Sequence, residues 1–76
     1  MDKKLLERTI KGEGDVPVIA DMTLAGNDYR GANLGGGTFQ NVDFSASNFA
    51  GANLRECNFI DCVFQGSCFD QCDLGL

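Results

Sequence analysis

From residue 24 onward a large apolar side chain returns at every fifth position: Leu24, Tyr29, Leu34, Phe39, Phe44, Phe49, Leu54, Phe59, Phe64, Phe69 and Leu74. Two residues before each stands a second series, Met22, Asn27, Ala32, Gly37, Val42, Ser47, Ala52, Cys57, Cys62, Ser67 and Cys72, small in most units. Five residues turn an α-helix by about 500°, so the large residues would scatter around it. A straight strand alternates faces with period two and would send half of them into water. Both series face inward only if each unit is a short extended piece, small in, one out, large in, followed by a two-residue corner. A chain made of such units has to coil.

The corners carry turn formers: Gly26, Gly31, Gly35, Gly36, Gly51, Gly66 and Gly75, with Asn41, Asp61 and Asp70. Glycine at the second corner position suits a positive φ. Ala46, Glu56 and Gln71 at that position predict corners that do not demand one, so two corner types are expected.

Residues 1–20 break the period. Asp2 can cap a helix with Leu5, Leu6 and Ile10 on one side and Lys3, Lys4, Glu7, Arg8 and Lys11 around the other, stopped by Gly12 and Gly14. Val16, Pro17, Val18 and Ile19 read as an extended edge segment, with Pro17 blunting further pairing. The division is a cap over residues 1–20 and a coil over residues 21–76, the cap covering the first coil. Asn27, an amide at an inward position, is expected to hydrogen-bond that cap.

The units Ala32-Asn33-Leu34-Gly35-Gly36 and Ala52-Asn53-Leu54-Arg55-Glu56 carry the closest match to a small residue, Asp or Asn, Leu or Phe, and two variable residues. Over residues 20–76 the chain resembles the pentapeptide-repeat family. The resemblance implies an all-β solenoid, a right-handed quadrilateral β-helix with four units per coil, here just under three coils with a short N-terminal α-helical cap. With twenty residues per coil the inward residues stack as Leu24/Phe44/Phe64, Tyr29/Phe49/Phe69, Leu34/Leu54/Leu74 and Phe39/Phe59, with Phe44, Phe49 and Leu54 as the central core.

The four cysteines do not make a zinc or disulfide framework in this reading. Cys57, Cys62 and Cys72 occupy the small inward position on different faces, as apolar filler, while Cys68 points outward and is the accessible thiol. Free thiols favour a reducing compartment, so the expected location is cytoplasmic. The net charge is −5, and all of it lies on residues 21–76, where seven carboxylates face Arg30 and Arg55. The expected acidic surface argues against nucleic acid as a partner. The helix is too weakly apolar, and too balanced in charge, to be a membrane anchor. Histidine is absent, no carboxylate pair is set across a cleft, and Gly35-Gly36-Gly37 lacks the helix and lysine of a phosphate loop. No catalysis, cofactor, metal or small-molecule substrate is expected. The outward Asn33, Asn48, Asn53 and Asn58 are expected to hydrogen-bond locally.

A non-catalytic protein-interaction or scaffold module remains. Its assembly surface is expected at the C-terminal end, where Phe59, Phe64, Phe69, Leu74 and Leu76 meet another protein or a second copy. The alternative implied by the resemblance is a DNA-mimicking inhibitor or protector of a type II topoisomerase such as gyrase. The acidic charge fits that alternative. The length does not, since under three coils at about 4.8 Å each give a rod on the order of 13 Å, so it requires a longer chain.

Overall fold

A computed structural model describes residues 2–11 and 18–75. Gly12, Gly14, Val16 and Pro17, expected to end the helix and blunt the edge, lie outside the described residues, as does Leu76.

One helix, α1 (Lys3–Ile10), opens the chain, and the Asp2 carboxylate accepts from the Leu5 N–H at 2.8 Å. Leu6 and Ile10, one turn apart, are buried, but Leu5 is 48% exposed. It belongs to a different face from the one expected, because one residue along a helix rotates the side chain by about 100°.

Three strands follow, β1 (Val18–Thr23), β2 (Thr38–Asp43) and β3 (Asn58–Ile60), in one parallel sheet ordered β1-β2-β3. Their register pairs Val18 with Thr38 and Thr38 with Asn58. The same offset of twenty recurs as single bridges elsewhere: Asp28 to Asn48 to Cys68, Asn33 to Asn53 to Asp73, and Asp43 to Val63. Four five-residue units therefore return the backbone to the same face, a β-helix-like arrangement. The sheet begins at Val18, ahead of the division drawn after residue 20, because Ile19 fills the inward position over Phe39 and is 2% exposed. Met22 stands over the buried Val42 and so keeps the inward phase, but on the edge strand β1 it is 37% exposed.

Successive layers are joined by a regular ladder. The large residue donates forward, as in Tyr29 N–H to Asn48 O (2.7 Å) and Leu34 N–H to Asn53 O (2.9 Å). The outward residue donates back, as in Asn48 N–H to Asn27 O (3.0 Å) and Asn53 N–H to Ala32 O (2.8 Å). The second corner residue has a positive φ at glycines and non-glycines alike, with Ala46 at 56°, Glu56 at 59° and Gln71 at 57°. The expectation of a second corner type at these three, one that does not demand a positive φ, is therefore corrected. The corners must close, as in Ser47 N–H to Phe44 O (3.2 Å) and Cys57 N–H to Leu54 O (3.3 Å). A type II turn requires positive φ at its third residue whatever side chain stands there, at a cost of about 1–2 kcal/mol for a residue other than glycine.

Inside, rings stack along the columns: Phe39 on Phe59 (centroids 5.1 Å, 11° between planes), Phe44 on Phe64 (5.4 Å, 6°) and Phe49 on Phe69 (5.2 Å, 2°). Neighbouring columns meet edge to face, as Phe44 meets Phe49 at 5.4 Å and 73°. Both geometries are preferred for aromatic quadrupoles. Phe44 and Phe49 are fully buried and Leu54 is 3% exposed.

Candidate interaction surface

Burial falls along each column towards the C-terminal end. In the leucine column exposure runs from 0% at Leu34 and 3% at Leu54 to 48% at Leu74. Phe59, Phe64 and Phe69 are stacked on the coil before them and are only partly buried. Their rings and Leu74 make one apolar end layer. Its backbone carries the complement of the ladder. In the preceding coil the carbonyls of Gly37, Val42, Ser47 and Ala52 accept from Asn58, Val63, Cys68 and Asp73. The equivalent carbonyls of Cys57, Cys62, Ser67 and Cys72 have no backbone donor among the described residues, and the forward N–H groups of Phe64 and Phe69 have no acceptor there. An edge of this kind is a template for another chain. Gly75, one residue after the large position, has a positive φ, whereas at the other described corners positive φ falls two residues after it.

The opposite end is covered by α1. Leu6 and Ile10 press on the first layer, and a Cβ built at the buried Gly37 would lie 3.1 Å from Ile10 Cδ1 and 2.9 Å from Phe39 Cε2. Glycine here is a seat for the lid and the Phe39 ring. Two side chains of α1 replace a missing ladder: Lys3 Nζ donates to Arg30 O (3.0 Å) and Glu7 Oε2 accepts from the Asn33 N–H (3.0 Å). Among the described residues Asn27 makes no hydrogen bond to the lid. Its amide donates to Leu24 O (3.0 Å) and to the Tyr29 hydroxyl (3.1 Å), and its N–H reaches Ser47 Oγ. Lys3 and Glu7 were invisible as clamps in the sequence, since on a short helix they read as solvated charges.

The small inward positions do more than fill space. Ser47 Oγ, Cys57 Sγ, Cys62 Sγ, Ser67 Oγ and Cys72 Sγ each donate to the carbonyl 23 residues earlier, at 2.9, 3.0, 3.3, 2.7 and 2.6 Å. Serine and cysteine thus do the same work at this position, and the reading of the inward thiols as apolar filler is incomplete. The repeated choice of hydroxyl or thiol was the available signal. Burial pushes the Cys57 and Cys72 thiols above the ordinary range, which withholds the reactive thiolate. Cys68, on the outward position beside Asn48, is partly buried. Under native conditions a thiol reagent is expected to modify Cys68 first, with Cys57 and Cys72 slowest. Equal rates at all four, followed by mass spectrometry, would count against this assignment.

On the flanks, several outward Asx side chains turn back on their own corners, Asn48 and Asn53 as expected. Asn33 Oδ1 instead accepts from the next layer, and the Asn58 side chain has no hydrogen bond among the described residues. Asp43, Asn48, Asn53 and Asp73 accept from the N–H two residues on, at 2.9 to 3.0 Å, which is the Asx-turn. Asn53 Nδ2 also donates to Asn33 Oδ1 one layer up (3.0 Å). Asp28 makes the same turn and pairs with Arg30 at 2.9 Å, and that hydrogen-bonded guanidinium holds its carboxyl down at about 2. Hydrogen bonds from Ser45 lower Asp43 likewise. Carboxylates with structural partners at a corner are not aimed at a common ligand. Among the described residues no cluster of three His, Cys, Asp or Glu side chains is placed to hold a metal ion. No described helix is long and apolar enough to cross a membrane.

The family model for pentapeptide repeats matches residues 38–75 in eight copies. Searches against curated proteins and solved structures return no match. The chain belongs to the pentapeptide-repeat family.

Proposed function

We propose that this pentapeptide-repeat chain is a non-catalytic protein-interaction module whose contact surface is the C-terminal end layer, and that it associates there with a second copy of itself. Family membership suggests a non-enzymatic repeat protein. The twenty-residue register supports a four-sided coil of just under three turns as its form, and the family resemblance a right-handed one. The observation that carries the reading is the end layer itself, with Phe59, Phe64, Phe69 and Leu74 left partly or largely exposed beside unmatched backbone groups. Aromatic anchors surrounded by polar groups are the composition of a binding hot spot. A two-fold contact is the simplest closed arrangement.

The molecule is 23 Å across in both short directions, which offers on the order of 500 Å² per partner, at the lower limit of specific interfaces. Association is therefore expected in the micromolar range rather than as an obligate dimer. Sedimentation equilibrium across that range should show a monomer–dimer transition, and Leu74→Lys should abolish it by placing a charge in the contact. A wild-type chain that stays monomeric and folded throughout would refute self-association at this face.

A further inference from the structure

We infer that α1 is a detachable plug that blocks head-to-tail stacking of this chain, and that the edge beneath it is a second docking surface for the C-terminal end of another copy. The argument is one of register. Within the coil the carbonyl of Ala50 accepts from the Gly31 N–H, and the Asn53 N–H donates to Ala32 O. One layer earlier, the equivalent groups are the Arg30 carbonyl and the Asn33 N–H. Those are the two groups that Lys3 Nζ and Glu7 Oε2 occupy. Side chains of α1 thus stand where the backbone of a preceding coil would stand, and Leu6 and Ile10 cover the layer that such a coil would cover.

The last layer carries what this edge needs. Its unmatched carbonyls at Cys57, Cys62, Ser67 and Cys72 suit outward N–H groups such as that of Asn33, and its forward N–H groups at Phe64 and Phe69 suit first-layer carbonyls. The columns continue in phase as well. At the offset of twenty, Phe59 of one copy falls over Ile19 of the next, Phe64 over Leu24, Phe69 over Tyr29 and Leu74 over Leu34. Head-to-tail stacking therefore prolongs a parallel ladder. A tail-to-tail pair meets antiparallel, cannot continue the slanted parallel bonds, and relies on apolar burial. Because the head-to-tail contact is heterologous and does not close, an unplugged chain grows into an open stack.

The inference rests on the proposal that the C-terminal end accepts a second chain, but it fails separately. The full chain carrying Leu6→Glu and Ile10→Glu has charges in the lid seat, which unseats α1. It should remain β-structured by circular dichroism and form species larger than dimers whose mean mass rises with concentration. Adding Leu74→Lys to it should abolish growth. Wild-type chain should act as a stopper, because it offers the C-terminal layer but a plugged N-terminal edge. Mean stack length should fall in inverse proportion to the wild-type fraction. A folded double variant that stays monomeric or dimeric overturns the inference, as does aggregation that ignores both Leu74→Lys and the wild-type stopper. Should the double variant unfold, Leu6→Ala, which loosens α1 and spares the coil, replaces it, and a monomeric or dimeric state of that variant, with the Asn33 N–H deprotected, overturns the inference. Stacking of the unplugged chain alongside a monomeric wild type would refute the two-fold dimer and leave the plug standing.

Discussion

Phe44→Ala is expected to remove about 3–5 kcal/mol of folding stability, the range for truncating a buried phenylalanine. That is a large share of the roughly 5–15 kcal/mol that holds a domain folded. Phe44 is fully buried in the middle coil, stacked on Phe64, and in edge-to-face contact with Tyr29, Phe39, Phe49 and Phe59. No corner or backbone shift can refill that volume, because the ladder on each face keeps neighbouring strands about 4.8 Å apart. Phe69→Ala is the control. Phe69 meets only Phe49 and Phe64 among the rings and already faces solvent in part, so its truncation should cost well under half as much. Denaturant titration of the two variants decides the matter, and equal losses would mean that the end layer is not open.

Leu6→Ala should cost about 2–5 kcal/mol at the lid, as for other buried leucines, yet spare most of the coil. In a solenoid each layer rests on its neighbours, so damage at one end stays local. The sign of this is residue-specific in hydrogen exchange. Among the described residues the Asn33 N–H is held by Glu7 of the lid alone, whereas the Leu34 N–H beside it donates to Asn53 O in the next layer. Asn33 should lose protection in the variant while Leu34 keeps it. Retained protection at Asn33 would show that the Glu7 clamp does not depend on the packing of α1.

The phase of the chain was legible from residue identities alone. Which residues point inward from Leu24 onward, that the chain coils, and that Asn48 and Asn53 serve their own corners all follow from a local unit read over and over, whereas Asn33 bonds across the layers and Asn58 makes no such turn among the described residues. The apolar and aromatic content of the end layer was equally legible, because Phe59, Phe64, Phe69 and Leu74 keep the same phase. The errors sit where the unit meets its surroundings. Met22 matches the inward phase but lies on the edge strand β1. Leu5 has the apolarity of a core residue, but α1 touches the coil along the line of Leu6 and Ile10 only.

Sequence by itself determined the five-residue period, the inward and outward sets, and the capped start of α1 at Asp2, since each depends on neighbours a few residues apart. The offset of twenty was expected only through the family resemblance, and the tertiary structure shows it as residue-by-residue pairing. Tertiary structure alone aimed hydroxyls and thiols at carbonyls 23 positions back and set Lys3 and Glu7 against Arg30 and Asn33. It also forced Ala46, Glu56 and Gln71 to positive φ. The physical reason is the same in each case. Local propensities fix one unit, but the register between coils is the sum of four corners. A residue without intrinsic preference for a left-handed conformation adopts it when the ladder and stacked rings above and below leave the corner no other way to close.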